Sequence, residues 1–154
     1  PQDVGADRVV NAVAAYQKYG GPCVVVDFGT ATTFDAIAAN GDYLGGVIAP
    51  GINISSEALF QRDSRLHRVE IRHTERVVGK SPVGSIQSGL YIGYIGLVDG
   101  ILRRMVEELG PQKTIIATGG LAPLIGRGSA LIDAVDNDLT LEGLKLIYER
   151  NKQS

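Results

Sequence analysis

Apolar positions along the chain switch between helical and strand-like periods. From Asp7 to Tyr19, Val9, Val10, Val13 and Ala14 recur at helical spacing and Gly20-Gly21-Pro22 supplies a stop, which predicts a first helix. Cys23-Val24-Val25-Val26 is a short β-branched run leading into Asp27-Phe28. Thr32 to Ala38 follows with partial alternation, so two strands joined by a tight turn are expected. Asn40-Gly41 is a strong hairpin signal, and Asp42 to Ile48 returns as the third strand of an antiparallel meander. Past Pro50-Gly51 the pattern predicts a helix over Ile52–Arg62, a brief strand at Val69–Ile71 and a long helix over Ser85–Leu109, stopped by Gly110-Pro111. Thr114–Ala117 reads as a buried parallel strand running into Thr118-Gly119-Gly120 and a helix; Leu131–Val135 is a last strand and Thr140–Glu149 a closing helix. A meander followed by alternating helices and strands is one lobe of an α/β fold with a mixed sheet.

Composition narrows the partners. A chain of 154 residues, 44% of them apolar, can bury one core, so a single lobe is expected. Fifteen Lys plus Arg against seventeen Asp plus Glu leave a net charge of −2 and no broad basic field, which argues against nucleic acid or an anionic membrane. Cys23 is the single cysteine, so there is no disulfide framework, and with His67 and His73 it cannot close a four-ligand zinc site. The chain reads as cytoplasmic. Its longest weakly charged apolar stretch, Ile86–Leu102, is interrupted by Gln87, Ser88, Asp99 and glycines and is marginal for a bilayer core of about 30 Å. Pro1 to Asp7 is not a leader, and without an initiating Met the chain is expected to begin after processing or partway through a longer protein.

Four places could carry chemistry. In Asp27-Phe28-Gly29-Thr30-Ala31-Thr32-Thr33 a carboxylate ends a buried strand, and the turn beyond it holds a glycine and three hydroxyls. Such a turn suits a phosphate with a cation beside it, although a plain hairpin turn has the same spacing. In Thr118-Gly119-Gly120-Leu121-Ala122 the glycines would let a ligand approach the backbone where a helix begins, or simply turn the chain. In Gly5-Ala6-Asp7-Arg8, Asp7 could accept a proton from an attacking hydroxyl while Arg8 clamps an anion; alternatively Asp7 is a helix N-cap and Arg8 a solvated charge. Finally, Gly89, Gly93, Gly96 and Gly100 share one face of the long helix. At about 1 kcal/mol each against Ala, they imply a close contact, with the protein's own sheet or with another subunit. Cys23 and Met105 read as core. His67 and His73, among Arg62, Arg65, Arg68, Arg72 and Arg76, read as a solvated basic edge.

Taken in order, Gly5-Ala-Asp-Arg, Asp27-Phe-Gly-Thr-Ala-Thr-Thr, Gly45-Gly-Val-Ile-Ala-Pro-Gly, Gln87-Ser-Gly, Thr118-Gly-Gly-Leu-Ala and Leu139-Thr-Leu-Glu-Gly-Leu resemble type III pantothenate kinase across essentially the whole chain. The resemblance implies a ribonuclease-H-like lobe of the actin-like, sugar-kinase-like ATPase superfamily. It also implies ATP-dependent phosphorylation of pantothenate, the first step of coenzyme A synthesis. By the same resemblance Asp7 is the general base, while Gly5, Arg8 and the position of Pro82 contact pantothenate. Asp27 helps bind a monovalent cation (K⁺ or NH₄⁺), Gly29, Thr30, Thr32 and Thr33 form a phosphate loop, and Gly119 and Gly120 line the adenosine site. The family is a homodimer whose pocket is completed across the interface.

Two departures from the family pattern stand out. The Asp-x-Gly-Asn-Thr loop that binds the ATP phosphates with Mg²⁺ in an N-terminal lobe is absent from these residues, so residues 1–154 correspond to the C-terminal lobe. Pro82 stands where the family has a Thr, with smaller differences at Asp63, Arg65 and His67. The expectation is a kinase lobe with little activity alone; the alternative is a non-catalytic ligand-binding module of the accessory transcription factor type.

Overall fold

The computed structural model describes residues 2–153 apart from 64 and 67; of the predicted basic edge, His67 therefore lies outside the described residues. The elements are α1 (Gln2–Tyr19), β1 (Cys23–Phe28), β2 (Ala31–Ile37), β3 (Tyr43–Pro50), α2 (Ile52–Arg62), α3 (Pro82–Leu109), β4 (Thr114–Gly119), α4 (Ala122–Gly128), β5 (Ala134–Val135) and α5 (Leu139–Gln153). The sheet runs β3-β2-β1-β4-β5. The β1–β2 and β2–β3 pairs are antiparallel, and β1–β4 and β4–β5 are parallel, the mixed sheet expected of the lobe.

Side-chain alternation on the central strand divides the core. Val24, Val26 and Phe28 pack with Phe34, Tyr91, Tyr94, Val98 and Leu102 on the α3–α4 side. Cys23 and Val25 pack with Ile37, Ile116, Ala14, Ala15 and Leu139 on the α1–α5 side. Covered on both faces, β1 has to be the near-continuous apolar run it is. Burial pushes the Cys23 thiol up to about 11, so the cysteine is a small core residue, as its sequence context indicates.

The structure corrects four expectations. First, α1 begins at Gln2, so Asp7 lies inside the helix and is not its N-cap. Second, the strand expected at Val69–Ile71 does not form. Gln87 Nε2 donates to the Glu70 carbonyl at 3.2 Å and the Ser88 hydroxyl donates to the Val77 carbonyl, so α3 side chains hold this segment in place of a strand partner. Third, α3 starts at Pro82 rather than Ser85, with Ser81 accepting from Gly84 N at 3.0 Å and proline at the first helical position, where its missing N–H costs nothing. Fourth, β5 shrinks to Ala134–Val135. Among the described residues no helix is long and apolar enough to cross a membrane.

Candidate functional site

The parity of β1 and β2 decides which side chains meet. Asp27 shares the α1–α5 face with Cys23 and Val25, and its partner across the strands is Thr33; Val25 is opposite Asp35. Asp27, Thr33 and Asp35 therefore line up beneath α1. Thr32, opposite Phe28, points the other way: its side chain is 1% exposed and its hydroxyl pairs with Tyr94 at 3.1 Å. Its hydroxyl thus lies in the core, apart from that of Thr33.

Where α1 crosses the end of these strands there is a cleft of about 180 Å³ lined by Asp7, Arg8, Asp27, Gly29, Thr30, Ala31 and Thr33. Two motifs separated by some twenty residues of sequence are thus brought to one place. Asp7 is exposed at its mouth. Burial pushes the Asp27 carboxyl above the usual range, and the negative charges of Asp7 and Asp35 push the same way against the lowering effect of its hydrogen bond from Asn11. That bond, Nδ2 to Oδ2 at 2.9 Å, leaves Oδ1 on the Gly29 side, 3.7 Å from where a Cβ on Gly29 would stand. Among the described residues Arg8 is the one cation lining the cleft. Its Nε donates to Asp35 Oδ1 at 2.6 Å and its Nη2 to the Tyr43 hydroxyl at 2.7 Å. Burial pulls its pKa down, but the hydrogen bond and charge of Asp35 outweigh that and raise it.

The second glycine motif reaches the same end of the sheet. In the parallel β1–β4 register Asp27 is opposite Thr118 and Phe28 opposite Gly119. Gly119 has φ of +100°, and a Cβ there would stand 2.6 Å from the Phe28 carbonyl oxygen, so only glycine fits. Gly120 faces open space. Just beyond it, Leu121 borders a further cleft of about 390 Å³ together with Asn53, Ser56, Phe60 and Val69. Both clefts lie at the carboxyl ends of parallel strands, the usual ligand crevice of open α/β sheets. The Gly29–Thr30 turn is fixed from below by Gly51, whose missing side chain admits the Thr30 carbonyl.

Gly5 lies exposed in the first turns of α1, and Pro82 is exposed at the start of α3, outside the lining of the Asp7 cleft. Sequence reasoning missed Asn11, Asp35, Tyr43 and Thr140. The available signals were a polar residue four positions after Asp7 on a helix and an acidic residue at an inward position of β2. Among the described residues, no group of three or more His, Cys, Asp or Glu side chains is gathered to hold a metal ion.

The model of the type III pantothenate kinase family matches residues 1–104. The chain is 64% identical, over all 154 residues, to type III pantothenate kinase of Koribacter versatilis (strain Ellin345), covering 56% of that protein. It is 57% identical over 151 residues to that of Moorella thermoacetica, covering 59%. It therefore spans a little over half the length of these curated relatives. Among solved structures, one described as a Baf family transcriptional activator from Campylobacter jejuni superimposes with a TM-score of 0.62 at 25% identity, over 99% of this chain and 67% of the other. The activator of 2-hydroxyisocaproyl-CoA dehydratase from Clostridium difficile, with ADPNP bound, gives 0.52 at 14% identity, over 96% of this chain and 69% of the other, a likeness of fold alone. The α/β lobe with a five-stranded mixed sheet agrees with the expectation from sequence.

Proposed function

The chain belongs to the type III pantothenate kinase family, and on that premise we propose that the Asp7 cleft is half of a site that phosphorylates pantothenate with ATP to give 4′-phosphopantothenate. The observation that carries this is the meeting of Asp7 and Arg8 with Asp27, Gly29, Thr30 and Thr33 around one cleft. In that reading the pantothenate hydroxyl oxygen attacks the γ-phosphorus, the bond to the β-phosphate oxygen breaks, ADP leaves, and the exposed carboxylate of Asp7 takes the hydroxyl proton. Phosphoryl transfer asks chiefly for positioning and charge neutralisation, which a turn of backbone N–H groups and threonine hydroxyls supplies. Gly119 and Gly120 would leave room for the adenosine, with the Leu121 cleft beside them.

Asp27 suits a monovalent cation. Its Oδ1 is an oxygen donor not taken by Asn11, and the negative charges of Asp7 and Asp35 act on Asp27, an excess of negative charge that a cation relieves. The ion would neutralise phosphate charge there. Mg²⁺ would come with the ATP phosphates and with residues outside this lobe. The open glycine face of α3 supports a homodimer: a Cβ at Gly89, Gly93, Gly96 or Gly100 would meet nothing within 4 Å, so the protein's own sheet is not the close neighbour. Pro82, on the same helix, would then face the partner's substrate. A cytoplasmic site of action belongs to the same reading.

A second reading, a regulatory module without catalysis, draws on the likeness to the transcriptional activator. The pairing of an exposed Asp7 with a held Arg8 favours the enzyme. Incubating the full-length protein with ATP, Mg²⁺, K⁺ and pantothenate and weighing the product decides: 4′-phosphopantothenate is expected, and its absence would contradict the kinase reading.

A further inference from the structure

The Gly45-Gly46 pair has no role in the site described above, yet it shapes how Arg8 is held. Strand β3 pairs with β2 as Asp35↔Gly46, Ala36↔Gly45 and Ile37↔Tyr43, so Leu44 is an extra residue, a bulge. Asp35 and Ile37 share a face of β2. Gly46 and Tyr43 are three residues apart and would lie on opposite faces of a regular strand; the bulge brings Tyr43 round to the side of Asp35. Gly45 makes this possible with φ of +112°. A Cβ on Gly46 would stand 2.7 Å from Arg8 Nη2 and 2.8 Å from Asp35 Oδ1, so the absent side chain is the space in which the pair sits.

The resulting group is closed on itself. Asp35, 2% exposed, accepts from Arg8 Nε and from the Tyr43 hydroxyl, each at 2.6 Å, while that hydroxyl accepts from Arg8 Nη2 at 2.7 Å. The guanidinium carbon lies 5.9 Å from the centre of the Tyr43 ring. Among the described residues two of its five N–H groups are thus occupied and its plane is fixed, which leaves three N–H groups on a side chain that lines the cleft.

We propose that Asp35 and Tyr43 are positioning residues that preset Arg8 as the receptor for the anionic end of the substrate, and so set the affinity of the site for it. A guanidinium held in plane by two fixed partners loses less freedom on receiving a carboxylate than one on a free side chain. The inference rests on the kinase reading for the identity of the anion, pantothenate, but the geometry of the group stands apart from it.

The experiment takes the full-length protein and Tyr43→Phe, which deletes one hydroxyl from a half-exposed side chain, with Asp35→Asn as the second variant. Two readouts are made. Hydrogen exchange at Arg8 Nε, by NMR, is expected to be slow in the wild type and at least tenfold faster in both variants. Steady-state kinetics are expected to show the pantothenate KM raised about tenfold by Tyr43→Phe, the ATP KM unmoved and kcat reduced less than threefold. Fast exchange in the wild type, or exchange unmoved by either substitution, overturns the proposal whether or not pantothenate is turned over. Where it is turned over, an unchanged pantothenate KM in both variants also overturns it, while an inert wild type counts against the kinase reading alone.

Discussion

Asn11 and Asp27 are joined side chain to side chain, Nδ2 to Oδ2 at 2.9 Å, and Asn11 is in turn fixed by the Thr140 hydroxyl, which donates to its Oδ1 at 2.7 Å. The first turn of α5 thereby orients the carboxylate at the end of β1 through a buried amide whose two ends are both engaged. Asn11→Ala would leave two partners unpaired and is expected to cost about 1–3 kcal/mol of stability, read as a lowered urea midpoint. Thr140→Val, which keeps the shape, should cost less and still weaken cation activation. Unchanged midpoints for Asn11→Ala would remove this link.

Asp27 is held against its own preference. Its raised pKa means that the folded protein binds a proton there more readily than the unfolded chain does. The stability cost is therefore full above the folded pKa, and it fades as pH falls through that value towards the unfolded one near 4. Asp27→Asn is accordingly expected to raise the thermal midpoint at pH 8, to lose that gain near pH 4, and to abolish activation by K⁺. A variant destabilised at pH 8 would contradict the assignment.

The two glycines after β4 should behave differently. Gly119→Ala forces a side chain into a positive φ and against Phe28, and is expected to destabilise by about 1–3 kcal/mol. Gly120→Ala meets nothing within 4 Å, so the fold should be unaffected and any loss should show in nucleotide affinity, measured by titration with an ATP analogue. Equal stability losses in both would argue that the turn is merely structural.

Much of this was legible in the sequence, and the exceptions have physical causes. The central strand, the hairpin at Asn40-Gly41 and the long helix follow from local period and turn chemistry, and Asp7, Asp27 and Gly119 were visible because their motifs are short and contiguous. Asn11, Asp35 and Tyr43 were not, because their meaning lies in pairing across elements. Asp35 reads as an ordinary polar position of β2 until the bulge at Leu44 turns Tyr43 towards it. The strand expected at Val69–Ile71 failed for the converse reason, since its local pattern was suitable while Gln87 and Ser88, far along the chain, bind its neighbourhood. Thr32 and Thr33 look alike in the motif, and only strand parity sends one to Tyr94 and the other to the cleft.

The glycine face of α3 offers a test of the proposed homodimer. Because Gly93 is exposed and has open space beside it, Gly93→Leu should fold normally and sediment as a monomer where the wild type sediments as a dimer. A wild-type monomer, or a variant that still dimerises, would contradict the proposed interface.

The proposed role of Asp7 as general base is the centre of the kinase reading. It is exposed, so its replacement should leave the fold intact. The most direct measurement is kcat for pantothenate phosphorylation by the full-length protein and its Asp7→Asn variant, with pantothenate affinity measured alongside by calorimetry. The expected result is a fall in kcat by a factor of about 10² or more with affinity little changed. A variant that turns over at close to the wild-type rate would show that the proton leaves by another route and that the cleft does not work as described.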